Sequence, residues 1–249
     1  MHPYLLHSGH LLLPTFGVLA AIGLMAALAL SLRTAVLAGL SPDKLWDASL
    51  FMLLSAFVLS RLLLIAASPN SFLAYPLLLL TLPSLNATGI LLTLVATAIY
   101  LRIKQLPILD TLDAWSPCAT VAWAFLALGH FAEGTDAGLP TTLPWGVGIP
   151  PDTTPLHPVA LYAALAAAVL TAILLRRLRH RQHPGNTFAM AMAATGTTQF
   201  LLSFFRQPYP YLEPNPKLLD PIQWIALGMI FLAGLVLLLQ TRKLVPHAV

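Results

Sequence analysis

LHPVALYAALAAAVLTAILLRRLRHR (Leu156–Arg181) decides the fold. From His157 to Leu175 it holds no Asp, Glu, Lys or Arg, and then Arg176, Arg177, Arg179 and Arg181 follow within a few residues. An apolar run of about 20 residues is the length a helix needs to cross the roughly 30 Å hydrocarbon layer. Clustered arginines at one end mark the side that stays inside. The rest of the 249-residue chain repeats the pattern: 58% of residues are hydrophobic and only 9% charged. Soluble domains carry about a quarter charged residues, so too few charges remain here to cover a water-facing surface. The runs are long and lack the short alternation of a barrel strand. The sequence predicts an all-α, polytopic membrane helix bundle forming one domain over residues 1–249.

Seven spans are expected: Leu11–Leu32, Trp46–Ala67, Asn86–Leu101, Thr111–Leu128, His157–Leu175, Thr187–Phe205 and Pro221–Gln240. Phe72–Leu82 is apolar but short and is broken by Pro76 and Pro83, which suits a half-inserted or interfacial segment. With the N-terminus outside, the inner ends hold Arg33, Lys44, Arg102, Lys104, the four arginines above, Arg242 and Lys243, and the outer side holds Arg206 and Lys217. That asymmetry sets the expected orientation. The first ten residues lack Lys and Arg, so no cleavable signal peptide is expected. The net charge of +4 sits at span ends and not along one face, so no nucleic-acid partner is expected. No internal repeat supports a transporter of inverted halves. The single cysteine, Cys118, reads as a small buried hydrophobe.

Several polar residues fit poorly with packing alone. Arg61 lies within FVLSRLLLIAA, where a charge costs about 2.5–3.5 kcal/mol on insertion scales. It either meets an anionic group or snorkels to the interface. Arg206 ends the sixth span in LLSFFRQP, on the side where cations are scarce, and Pro208 stops the helix behind it. The polar stretch GHFAEGTDAGLPTTLPWG (Gly129–Gly146) faces outward and carries His130, Glu133 and Asp136. His157 and Tyr162 open the fifth span. Each of these also reads singly as ordinary loop polarity. No His spacing with a third ligand suggests a metal, and no Gly-rich phosphate loop or nucleophile elbow is present.

Together these segments resemble the prolipoprotein diacylglyceryl transferase family. SFFRQP (Ser203–Pro208) resembles its Glu-Phe-Phe-Arg-Gln-Pro, LHPVALY its His-Pro-Ser-Gln-Leu-Tyr, LPWGV (Leu143–Val147) the end of its signature loop, and LDAWSP (Leu112–Pro117) its Asp-x-x-x-Pro. Arg61 falls on an Arg of its second span. The resemblance implies a multi-pass protein of the bacterial plasma (inner) membrane, without cofactor. It implies transfer of a diacylglyceryl group from a phosphatidylglycerol-like phospholipid to the lipobox cysteine of a prolipoprotein signal peptide. Against the family's signature loop, the Arg position holds Ala127, the Asn position His130 and the Glu position Thr135, with Asp136 next to it. Gly129, Phe131 and Gly138 keep the family's residues. Asn86 or Ala87 stands where the family has a His, and Gln199 and Ser203 stand where it has Arg and Glu.

Such a reaction needs a base to form the thiolate and cations to hold the departing glycerol phosphate. His130 or His157 supplies the base on this reading, with Asp136 or Glu133 orienting His130. Arg61 and Arg206 supply the cations, and Tyr162, Asn86 and Gln199 complete the substrate site. Three functions remain open: the family reaction, a related lipid-modifying transfer with another acceptor, and lipid or lipoprotein binding without transfer.

Overall fold

The computed structural model describes residues 4–8, 11–68, 86–136, 138–148, 154–207 and 219–244. Two strands, β1 (Tyr4–Ser8) and β2 (Leu11–Pro14), pair antiparallel. Seven helices follow among the described residues: α1 (Thr15–Leu37), α2 (Pro42–Ala67), α3 (Ala87–Ile103), α4 (Ile108–Glu133), α5 (Val159–Arg179), α6 (Asn186–Ser203) and α7 (Pro221–Leu244). The expected helical bundle is present, and its first helix begins later than the expected span. Leu11–Pro14 belongs to the hairpin and not to the first span, because extended Pro14 stands directly before Thr15 and sets where the helix begins. Phe72–Leu82 and Lys217 lie outside the described residues.

Among the described residues, four helices are long and apolar enough to cross a membrane: Thr15–Leu37, Pro42–Ala67, Val159–Arg179 and Pro221–Leu239. Ala87–Ile103 is apolar but shorter, at 17 residues. α4 runs 26 residues, so it reaches Glu133 and carries His130 as a helical residue. His157 precedes α5, and Pro158 is its N-cap rather than a residue of the first turn.

Small residues make the helix contacts. Ala35, Ala38, Ala48, Ala114, Ala160, Ala163, Ala167 and Ala189 are all buried. Without a hydrophobic drive between helices in lipid, close approach of backbones is what packs them. α1 lies along α4, α4 along α5, and α6 along α7, while α2 pairs with α3. At Gly196 on α6 a Cβ would stand 2.7 Å from the Ala226 carbonyl oxygen of α7, so only glycine permits that crossing. Span hydroxyls return to their own helix: Ser49 donates to Leu45 O at 2.8 Å, Thr93 to Gly89 O at 2.8 Å and Ser116 to Leu112 O at 2.7 Å. This satisfies them where no water is available.

One end of the bundle is locked by charge. Asp113 on α4 is fully buried. Its carboxylate accepts from Gly185 N at 2.7 Å, Phe188 N at 2.7 Å and Arg181 Nη1 at 3.2 Å. Arg181 also reaches Asp110 at 2.7 Å and donates to the Ala38 carbonyl at the end of α1. Arg181 thereby ties α1, α4 and the α5–α6 turn together.

Candidate functional site

The C-terminal end of α4 forms one wall of a cavity of about 350 Å³, whose lining includes Trp123, His130, Thr135, Asp136, Gln199 and Arg206. Its shape comes from how α4 ends. Gly134 stops the helix in the left-handed region at φ 76°, a conformation that costs glycine little. The chain turns back there, so that Thr135 N reaches His130 O at 3.2 Å. The same turn sets Thr135 Oγ1 2.9 Å from His130 Nδ1. Phe16 packs against the imidazole, with ring centroids 4.8 Å apart. His130 therefore enters the cavity as a fixed ring, and its orienting partner is Thr135. The expected partners Asp136 and Glu133 make no such contact among the described residues.

Asp136 pairs with the arginine instead. Its Oδ2 is 3.1 Å from Arg206 Nη2, and the two side chains are 24% and 18% exposed. The backbone holds both: Gly138 and Arg206 form an antiparallel bridge, Leu139 N donates to Phe205 O at 2.8 Å, and Gln207 Nε2 donates to Gly138 O at 3.1 Å. A Cβ at Gly138 would lie 2.3 Å from His157 O, which explains a glycine at this crowded junction. Phe205, Arg206 and Gln207 therefore clamp the loop that follows α4. Arg206 Nε is buried and has no hydrogen-bond partner among the described residues. The Gln199 Oε1, on the cavity's α6 wall, is also buried and without one.

A second cavity of about 340 Å³ is apolar and shares Trp123 and Gln199 with the first. Leu112 and Trp123 both line it. They are eleven residues apart on α4, about 16 Å along the axis. His130 lies two further turns on. A narrower apolar cavity of about 110 Å³ adjoins it through Met52, Trp115 and Ala119. Trp115 stands between the two, its indole donating to Ser49 Oγ at 2.8 Å. Apolar room for a chain thus adjoins a polar chamber with one cation, one carboxylate and one imidazole.

The remaining expected residues lie elsewhere. Arg61 is buried on α2 with its guanidinium 5.5 Å from the Phe57 ring centroid, and it does not line the polar cavity. His157 packs its ring against Phe205 at 5.2 Å and Tyr162 at 6.3 Å. The Tyr162 hydroxyl accepts from Trp145 Nε1 at 2.8 Å. Asn86 caps α3, its Oδ1 accepting from Gly89 N at 2.8 Å. Ser203 donates to Phe200 O and accepts from Gln223 Nε2. Of the expected set, the structure brings together His130, Asp136, Gln199 and Arg206. Sequence reasoning missed Trp123 and Thr135. Thr135 carried a signal, a hydroxyl directly after a C-capping glycine, whereas Trp123 reads only as one more apolar span residue. Among the described residues no group of three His, Cys, Asp or Glu side chains converges as a metal site.

The family described as prolipoprotein diacylglyceryl transferase matches the chain over residues 3–239. Among similar proteins, the phosphatidylglycerol–prolipoprotein diacylglyceryl transferase of Geobacter sulfurreducens is 28% identical over 254 residues, covering 98% of this chain and 97% of that protein. The protein of the same name from Idiomarina loihiensis is 29% identical over 160 residues, which is 64% of this chain and 60% of the relative. That of Cereibacter sphaeroides is 33% identical over 184 residues, 62% and 60% of the two chains. The matches to the last two thus span about 60% of those relatives' own length.

Proposed function

Because the chain belongs to the prolipoprotein diacylglyceryl transferase family, we propose that it is a transferase that moves a diacylglyceryl group from a phosphatidylglycerol-like donor to the lipobox cysteine of a prolipoprotein signal peptide. On this reading it is a single seven-span unit of the bacterial plasma membrane with the N-terminus outside, and the polar cavity opens toward the outer leaflet. The observation that carries the proposal is the pairing of the two larger cavities: an apolar chamber and a polar chamber share Trp123 and Gln199. A lipid needs that division, with its chain in one and its headgroup in the other.

The groups on the polar side have assigned tasks. Arg206 holds the phosphate through its planar fork, which meets two phosphate oxygens at once. His130, held through Nδ1 by Thr135, takes the thiol proton on Nε2 as general base. The thiolate then attacks the glycerol carbon, and glycerol phosphate departs with the C–O electron pair, stabilised by Arg206. Gln199 places a neutral amide where the lipid's polar part begins. Arg61 and His157 serve as a second cation and an alternative base that reach substrate from outside the cavity lining. Tyr162 and Asn86 shape the substrate site through the Trp145 loop and the start of α3.

Lipid or lipoprotein binding without transfer is favoured by a different observation. Ser203, and Asn86 or Ala87, stand where the resemblance places charged or basic groups, and the Ser203 and Asn86 side chains are spent on structure. Expression in a strain depleted of its own transferase separates the two readings. Rescue, with lipoprotein mass increased by one diacylglyceryl group, supports transfer. Growth arrest with the unmodified precursor accumulating, despite normal levels of this protein in the membrane, supports binding alone.

A further inference from the structure

Arg206 does not stand alone in the polar cavity. Asp136 lies on it at 3.1 Å, and both side chains line the same chamber. An anionic headgroup that reaches Arg206 therefore comes within a few ångströms of a carboxylate. Two negative charges at that separation oppose one another, and the low dielectric of a cavity strengthens the opposition. Gln199, on the facing wall, is neutral, so it offsets none of this. The arginine also keeps an edge in reserve: Nε is buried and makes no hydrogen bond among the described residues. The Asp136 loop is anchored independently of the ion pair, through the Gly138–Arg206 bridge and the Gln207 hydrogen bond to Gly138. The carboxylate can leave the guanidinium without the loop losing its place.

We propose that Asp136 is a built-in competitor for the phosphate site: it neutralises Arg206 until a phosphate diester displaces it, and so sets the cavity's selectivity among lipids of different headgroup charge. The inference rests on the polar cavity being a lipid-headgroup site. Asp136 is then a specificity-determining residue, and its removal strengthens binding of an anionic lipid where loss of a positioning group would weaken it.

The test is equilibrium binding to the detergent-purified full chain, with dihexanoyl phosphatidylglycerol, dihexanoylglycerol and inorganic phosphate as separate probes. Asp136→Asn binds the phosphatidylglycerol about fivefold more tightly than wild type, the scale of a partly exposed ion pair. The affinity for dihexanoylglycerol, which carries no phosphate, stays unchanged. The gain disappears in Asp136→Asn combined with Arg206→Gln. Asp136→Ala serves as the second variant, and a thermal melt within a few degrees of wild type shows that each is folded. Unchanged or weaker phosphatidylglycerol binding in both folded variants overturns the proposal. A gain for inorganic phosphate with none for the lipid also overturns it, by making the site one for a free anion. Wild type that binds neither lipid probe refutes the headgroup reading itself, and the competitor role falls with it.

Discussion

Replacing Asp113 with alanine removes the acceptor at the locked end of the bundle, and the structure sets the size of the effect. Asp113 is completely buried, whereas the side chain of Asp110, which shares Arg181 with it, is 18% exposed. In Asp113→Ala the backbone N–H groups of Gly185 and Phe188 lose their partners. Arg181 keeps Asp110 and the Ala38 carbonyl, so no cation is stranded. Each of the two orphaned buried N–H groups costs about 1–3 kcal/mol, so about 4 kcal/mol for the pair is the central expectation. In a chain of this size that lowers Tm by about 8–16 °C. Asp110→Ala removes a partly exposed pair while Arg181 keeps Asp113 and the Ala38 carbonyl, costs about 1 kcal/mol, and lowers Tm by about 3 °C. Asp113→Asn keeps one acceptor oxygen and falls between. Thermal unfolding of the detergent-purified variants, followed by size-exclusion chromatography, reads all three. Asp113→Ala within about 3 °C of wild type, or Asp110→Ala as damaging as Asp113→Ala, refutes the claim that this carboxylate holds the α5–α6 turn.

Trp145→Phe and Tyr162→Phe each remove the same hydrogen bond; each costs about 0.5–1.5 kcal/mol in a thermal melt, and the double variant costs no more than either alone. Gly196→Ala forces a Cβ onto the Ala226 carbonyl, so it loosens the α6–α7 crossing and costs about 1–3 kcal/mol by the same assay. Topology reporters fused after Arg33, Gly138, Arg181 and Lys243 read inside, outside, inside and inside. An outside signal at Arg181 contradicts the orientation.

The helices were legible because long apolar runs are a property of composition, and Val159–Arg179 ends in the arginines that first marked it. The start of α1 was less so. Leu11–Leu13 are apolar residues that suit a strand as well as a helix, and pairing with Tyr4–Ser8 decides between them. Within the site, sequence placed His130, Asp136, Gln199 and Arg206 on the right elements, but it mistook who partners whom. The expected partner of His130 was Asp136 or Glu133, whereas the turn at Gly134 delivers Thr135 to the imidazole and carries Asp136 on toward Arg206. That arrangement depends on a β-bridge between residues about seventy positions apart, and no local pattern reports it. The structural use of Asp113 was hidden for the same reason: its partners lie across the bundle on the α5–α6 turn.

The central claim is that the polar cavity transfers lipid, with His130 taking the thiol proton. Purified protein, phosphatidylglycerol and a lipobox peptide, followed by mass spectrometry of the peptide, tests it most directly. The account predicts a peptide heavier by one diacylglyceryl group, joined through the cysteine sulfur, and loss of that product in His130→Ala at unchanged thermal stability. Wild type that binds the lipid yet leaves the cysteine unmodified, or His130→Ala that forms product at the wild-type rate, would contradict it.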